Sequence, residues 1–314
     1  MALSTPASAG AAPARALTEG LTRKGLDVRG KSIEAILIGA LGLSILILTV
    51  LIVDVVRRSW PIWTDRPSDF LTGPLNSANA AQAGVAQGIR GTLMLALVVI
   101  VVAFPLGIAC AVYLEEYQTR SRFAKWTRIN VRNLAGVPSI VYGLLGLAVF
   151  VQAMNGITGG KTILAGGLAL SALVLPIVII TTSEALRAVP RSIREGAFGV
   201  GATQWETIRS HVLPAASPGI LTGTVLSLAR ALGEAAPLLL VGAATGLLRT
   251  GDQSFLEQLR GPFTAMPVII FQYARQPGDA FREATAAASV VLLVLVLAMN
   301  AFAIWLRNRY DRKW

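Results

Sequence analysis

Apolar residues run along this chain in long blocks, not in alternation. The stretch Leu93-Met94-Leu95-Ala96-Leu97-Val98-Val99-Ile100-Val101-Val102 is apolar on every face. A membrane barrel strand alternates apolar and polar residues over about ten positions, so such blocks read as helices. Blocks of about 18 or more apolar residues can span the roughly 30 Å hydrocarbon core of a bilayer. The pattern predicts an all-α integral membrane protein with about six transmembrane helices, near residues 33–56, 92–114, 134–156, 162–183, 215–248 and 285–306. Glu34 and Asp54 lie near the ends of the first segment, and the fifth holds Arg230 and Glu234 well inside; the other segments carry no charge.

Composition agrees with this reading: 54% of residues are hydrophobic and 14% charged, against about 25% charged in soluble domains. Glycines fall within the spans, as at Gly219 and Gly223, which suits close helix packing through small side chains. Small residues around Ser8 precede the first apolar block instead of following it, so that block reads as an uncleaved anchor. Residues 1–32 are expected to form a largely disordered tail and 33–314 a single transmembrane domain. Cys110 is the only cysteine and excludes a disulfide within the chain.

The net charge of +11 resembles a nucleic-acid footprint, but its placement follows membrane topology. Most of the basic residues fall in the tail, the 115–133 and 184–214 loops and the C-terminus, as with Arg120, Arg122, Lys125 and Arg128. The positive-inside rule therefore puts both termini in the cytoplasm. Arg57 and Arg58 fall on the outer side and run against it.

Gly25-Leu26-Asp27-Val28-Arg29-Gly30-Lys31-Ser32 matches a phosphate-binding P-loop pattern as a string. A P-loop needs a buried strand before it, so that backbone N–H groups curl around the phosphates. The preceding Thr18-Glu19-Gly20-Leu21-Thr22-Arg23-Lys24 is polar and a membrane helix follows, so the match is read as chance and no ATP hydrolysis is expected of this chain.

The 184–214 loop carries the most specific pattern. Pro190 and Ser192 can start a helix, Gly201 can break it, and a second amphipathic segment, with Trp205 and Ile208 on one side, runs to Pro214. This loop resembles the EAA loop of ABC importer permeases. Glu195, Ala197, Gly201, Leu213 and Pro214 agree with that motif, Gly196 replaces an alanine, and His211, the sole histidine, stands in an isoleucine slot. The resemblance implies a type I importer permease fold whose coupling helix docks on a partner ATPase. Ala197, Gly201 and Ala202 would supply close approach. His211 reads as a packed or interfacial residue.

Further stretches are similar to the phosphate-specific (Pst) importer permeases: Phe104-Pro105-Leu106-Gly107-Ile108, Tyr113-Leu114-Glu115-Glu116-Tyr117, Val137-Pro138-Ser139-Ile140-Val141-Tyr142-Gly143 and Ala229-Arg230-Ala231-Leu232-Gly233-Glu234. Glu234-Ala235-Ala236-Pro237-Leu238-Leu239 and Phe263-Thr264-Ala265-Met266-Pro267-Val268-Ile269-Ile270 resemble the A-type (PstA-type) branch. The resemblance implies phosphate import as a heterodimer with a PstC-like permease, two PstB-like ATPase subunits holding ATP and Mg, and an external PstS-like phosphate-binding protein. It implies no catalytic residue, metal or directly bound cofactor in this chain.

A charge near the bilayer centre costs about 2.5–3.5 kcal/mol on insertion scales and marks a functional site by default. Arg230 and Glu234, four apart on one expected helix, stand in the less favourable Arg-before-Glu order, so local helix support explains them poorly. The expectation is that Arg230 faces the pathway and contacts phosphate while Glu234 moderates its charge; a structural pair at the permease interface is the alternative. Pro237 is expected to bend that helix. Phe263, Phe271 and Tyr273 suggest a re-entrant or surface helix that meets the binding protein, and interfacial anchoring explains them as well. The rival functions are an importer permease for another oxyanion and an ion-coupled secondary transporter or channel, which would not need the coupling loop.

Overall fold

The computed structural model describes residues 28–117, 121–243 and 255–310. Residues 1–27 of the expected tail, the first residues of the P-loop-like string, Arg120 and the end of the expected fifth span lie outside them, whereas 28–32, expected in the tail, are helical. The chain divides after Asp54 into two compact units.

Helix α1 runs over Val28–Asp65, so Gly30, Lys31 and Ser32 are helical and do not form a phosphate-cradling loop. From Lys31 to Asp54 its side chains are exposed, as an apolar helix solvated by lipid would be. Its last turns belong to the second unit, where Ile62 is buried beside Phe70 of α2 (Pro67–Thr72).

The second unit is built on three long helices. They are α3 (Ala86–Val112), continued by a π-helical turn Tyr113–Tyr117; α7 (Ile163–Ala188); and α10 (Leu213–Gly233). Small residues let them approach closely: a Cβ on Gly167 would lie 2.5 Å from Val98, one on Gly107 2.6 Å from Val178 and one on Gly219 2.8 Å from Ala185. Gly223 faces Thr181 at even closer range. Without a hydrophobic force between helices in lipid, such backbone approach is the main source of association. The expected role of Gly219 and Gly223 is met.

Among the described residues, five helices are individually long and apolar enough to cross a membrane, and a bent pair, taken as one span, raises the number to six. The bend corrects the expected third span. The first arm, α4 (Arg122–Ala135), ends at Gly136. The chain resumes as α5 (Ser139–Gly146), extended by a π-helical turn Leu147–Ala153 and by α6 (Asn155–Thr158). The two arms meet at 102°, because Pro138 disfavours helix at Val137 and leaves the turn to Gly136.

The expected fifth span also changes. α10 ends at Gly233, Glu234 is extended with φ −84° and ψ 115°, and a short α11 (Ala236–Val241) follows. Pro237 therefore does not bend a continuous helix. It sits in the first turn of α11, where its missing N–H is an orphan anyway, and the change of direction falls at Glu234 and Ala235.

Beyond α12 (Phe255–Leu259), α13 (Met266–Ala274) packs into the bundle and is not a surface helix. Phe263 and Tyr273 are fully buried, and Phe271 alone of the three aromatics is exposed. The Tyr273 hydroxyl donates to the Gly84 carbonyl at 2.7 Å, and the Met266 N–H donates to Thr92 Oγ1 at 2.9 Å. α14 (Asp279–Tyr310) is the last helix among the described residues.

Candidate functional site

Two clusters of charge stand at opposite ends of α10. At its N-terminal end, α8 (Arg191–Gly199) follows α7 after Val189 and Pro190. Gly201 turns the chain at φ +86°, a conformation natural to glycine. Thr203 then caps α9 (Gln204–Thr207): its Oγ1 accepts from the Glu206 N–H, and Glu206 Oε2 accepts from the Thr203 N–H at 2.8 Å, a reciprocal capping box.

A π-helical turn, Ile208–Val212, carries the chain from α9 into α10 without interruption. Pro214 lies in the first turn of α10 and does not close a separate segment. Trp205 and Ile208 do not share a side: Ile208 is fully buried, whereas Trp205 is exposed.

The tip of this helix-turn-helix shows apolar groups to its surroundings. Phe198 and Trp205 are about half exposed, and Val200 is 86% exposed. Glu195, Gly196 and Gly201 are exposed beside them, and Ala202 is half-buried. Ala197 is buried against its own chain, so its small size serves internal packing. Leu213 is half-buried and Pro214 exposed at the root of α10. His211 is exposed on the connecting turn.

An ion network supports the tip. Arg187 at the end of α7 forks onto Glu115, its Nε and Nη2 donating to Oε2 and Oε1 at 2.8 and 2.7 Å. Arg128 of α4 donates to Glu115 Oε1 at 3.3 Å and to the Leu114 carbonyl. One residue on, Glu116 accepts from Arg194 of α8 at 2.7 and 3.2 Å. Arg194 also donates to the Val189 and Leu186 carbonyls, each at 2.9 Å. The Gln204 amide donates to the Glu116 carbonyl at 2.7 Å.

Both carboxylates are 9% exposed. Bidentate arginine geometry and added carbonyl partners are what buried ion pairs need to offset desolvation. The result ties α8 and α9 to the end of α3. Sequence reasoning passed over this network. Glu115 and Glu116 were legible at a span end, but their partners Arg187 and Arg194 lie 72 and 78 residues away.

Arg230 and Glu234 form the second cluster. Arg230 is in the last turn of α10, near its C-terminal end and not in mid-span, and Glu234 lies beyond the helix. Arg230 Nε stands 3.8 Å from Glu234 Oε1, with side chains 54% and 20% exposed. The positive charge complements the partial negative charge of the helix C-terminus.

The face of α10 bearing Arg230 also carries Thr222 and Leu226, both exposed, while Ser227, Leu228, Ala231 and Leu232 turn inward. The pair therefore opens out of the chain instead of into an internal cavity. No group of histidine, cysteine and acidic side chains suited to a metal occurs among the described residues.

Comparison with known proteins follows the same lines. A family model described as "Binding-protein-dependent transport system inner membrane component" matches residues 103–314. The chain is 36% identical over 225 residues to the phosphate transport system permease protein PstA of Yersinia pestis, covering 72% of each protein. It is 35% identical over 254 residues to phosphate transport system permease protein PstA 1 of Mycobacterium tuberculosis strain ATCC 25618 / H37Rv, covering 81% of this chain and 76% of that one.

Among solved structures, a bacterial alginate ABC transporter in complex with an alginate pentasaccharide-bound periplasmic protein aligns with a TM-score of 0.61 at 17% identity, over 91% of this chain and 96% of that one. An inward-facing MetNI methionine ABC transporter aligns with a TM-score of 0.55 at 19% identity, over 73% and 95%. At those identities the likeness is one of fold.

Proposed function

The chain belongs to the family of binding-protein-dependent transport system inner membrane components, and from that premise we propose that it is the A-type permease of an ATP-driven importer of inorganic phosphate. The observation that carries the mechanism is the helix-turn-helix over 191–212, with its apolar tip exposed and its base clamped to α3 by the Glu116–Arg194 pair. An exposed tip on a rigid base transmits force. A secondary transporter has no use for it.

In this reading both termini and the tip are cytoplasmic, ATP and Mg are bound by a pair of PstB-like ATPase subunits, and Phe198, Val200 and Trp205 meet those subunits. Closure of the ATPase pair would move α8 and α9. The capping box and the continuous turn into α10 would carry that motion to the span bearing Arg230. A PstC-like permease would cover the open face of α10 and complete the pathway.

Arg230 then presents a planar fork of donors to phosphate arriving from an external PstS-like binding protein. Glu234, 3.8 Å away, keeps the empty site from holding an uncompensated cation and weakens retention of the anion. Phosphate is favoured over another oxyanion by the PstA relatives.

The test is reconstitution of the chain with the second permease, the ATPase and the binding protein. Phosphate-loaded binding protein is expected to accelerate ATP hydrolysis and drive phosphate into the vesicles. Uptake that proceeds without an ATPase subunit would sink the importer reading, and stimulation by sulfate-loaded binding protein alone would move the substrate.

A further inference from the structure

The mechanism above does not use the exposed face of helix α4. Its buried side is short: Ala124 and Val131 pack beside Leu114, Ile179, Leu186 and Ile208. The opposite side shows Phe123, Trp126 and Ile129 at 61%, 62% and 50% exposure. The two aromatic rings stack with centroids 6.2 Å apart. Lys125 and Arg132 are exposed along one flank of this apolar stripe and Arg122 is exposed within it, and none of them pairs with a carboxylate among the described residues.

The location of α4 fixes its depth. The crossing that ends at Tyr117 precedes it by a few residues, and the next crossing begins at Ser139. Because α4 meets that next arm at 102°, it lies close to the membrane plane when the arm runs along the normal. A helix in this attitude at the end of two crossings sits at headgroup level. Aromatic and aliphatic groups on such a helix enter the acyl boundary, and flanking cations meet the headgroups.

We propose that α4 is a membrane-surface helix that selects anionic phospholipid, with Phe123, Trp126 and Ile129 in the acyl boundary and Lys125 and Arg132 on the headgroups. A cation at this depth enriches anionic lipid about fivefold, the equivalent of about 1 kcal/mol. The opposite face of the same helix presents Arg128 to Glu115, so lipid at α4 is one residue removed from the Glu116–Arg194 clamp. The composition of the adjoining leaflet thereby acts on the element that holds the coupling tip.

The test uses the assembled complex in phosphatidylcholine vesicles containing a minor fraction of either brominated phosphatidylglycerol or brominated phosphatidylcholine. Fluorescence of Trp126 is isolated as the difference between the wild type and Trp126→Phe. Both brominated lipids are expected to quench it, phosphatidylglycerol severalfold more at equal mole fraction. In the K125Q/R132Q variant that preference should fall to parity while quenching by phosphatidylcholine persists.

Absence of quenching by either lipid would mean that a protein partner covers the face, and would overturn the proposal. Equal quenching by both in the wild type would overturn the anionic selectivity. The fluorescence reading is independent of cargo, so it stands or falls apart from the phosphate assignment.

Discussion

The two charged clusters differ in what completes them. Glu115 and Glu116 are enclosed: Glu115 is met by Arg187 at 2.7 Å and by Arg128 at 3.3 Å, and Glu116 by Arg194 at 2.7 Å. Arg230 has one carboxylate at 3.8 Å and is more than half exposed. A network satisfied within one chain does mechanical work, because its carboxylates already have fixed partners. A cation left more than half exposed at the end of its helix is built to be completed from outside.

The largest expected effect breaks the open end. Arg230→Gln removes the charge and keeps a polar side chain of similar reach. Loss of a charge-assisted contact of about 1.5–3 kcal/mol corresponds to roughly a 10- to 100-fold fall in phosphate uptake. Assembly with the second permease should survive, as judged by co-purification. If assembly were lost instead, the pair would be an interface strut, and the contrast between the two ends would collapse.

Next comes the closed end. Glu116→Gln leaves Arg194 with its Val189 and Leu186 carbonyls but without a carboxylate. The expected loss is about 1.5–3 kcal/mol of stability, seen as a lower melting temperature of the purified complex. Stimulation of ATP hydrolysis by loaded binding protein should weaken with it. Adding Arg194→Gln removes the stranded cation, so the double variant should be less destabilised than the sum of the singles. Strict additivity would show that the pair is not coupled.

How much of this was legible in the sequence differs between the same two regions. The apolar blocks located the crossings, and Gly201 marked the turn, because both signals are local. The end of α10 was misplaced: an apolar run from 215 onward gives no reason to stop at Gly233, and the break depends on how α11 packs beneath α5. There Gly143 admits Pro237, a Cβ at that position lying 2.7 Å from the Pro237 Cα.

The network at Glu115 and Glu116 was invisible because its members come from separate helices. Basic residues such as Arg187 and Arg194 were credited to orientation in the membrane. That reading counts charges without asking where each one points.

A smaller effect tests the turn between α8 and α9. Gly201 has φ +86°, and a Cβ there would meet no atom within 4 Å. Gly201→Ala therefore acts through backbone strain alone, about 1–2 kcal/mol for an L-residue in the left-handed region. Gly201→Asn, which tolerates that region better, should recover part of the loss. Equal effects of Ala and Asn would point to a steric contact with the ATPase at this tip.

The smallest effect separates the tip from its support. Thr203→Ala removes the hydroxyl that caps α9 and should cost about 1 kcal/mol. The loss is local, since Thr203 and Glu206 are both exposed and make their capping bonds with each other. Hydrogen exchange at the Glu206 amide should therefore accelerate while the amides of Arg194 and Gly196 in α8 keep their protection. Thr203→Ser, which keeps the oxygen, should restore the slow exchange. Because α9 runs through the π-helical turn into α10 without a break, transmission from tip to Arg230 requires a capped start, and the alanine variant should need more ATP hydrolysed per phosphate moved. If exchange in α8 rose as well, α8 and α9 would be a single unit held by the cap, and the Glu116–Arg194 clamp would not be the main anchor of the tip.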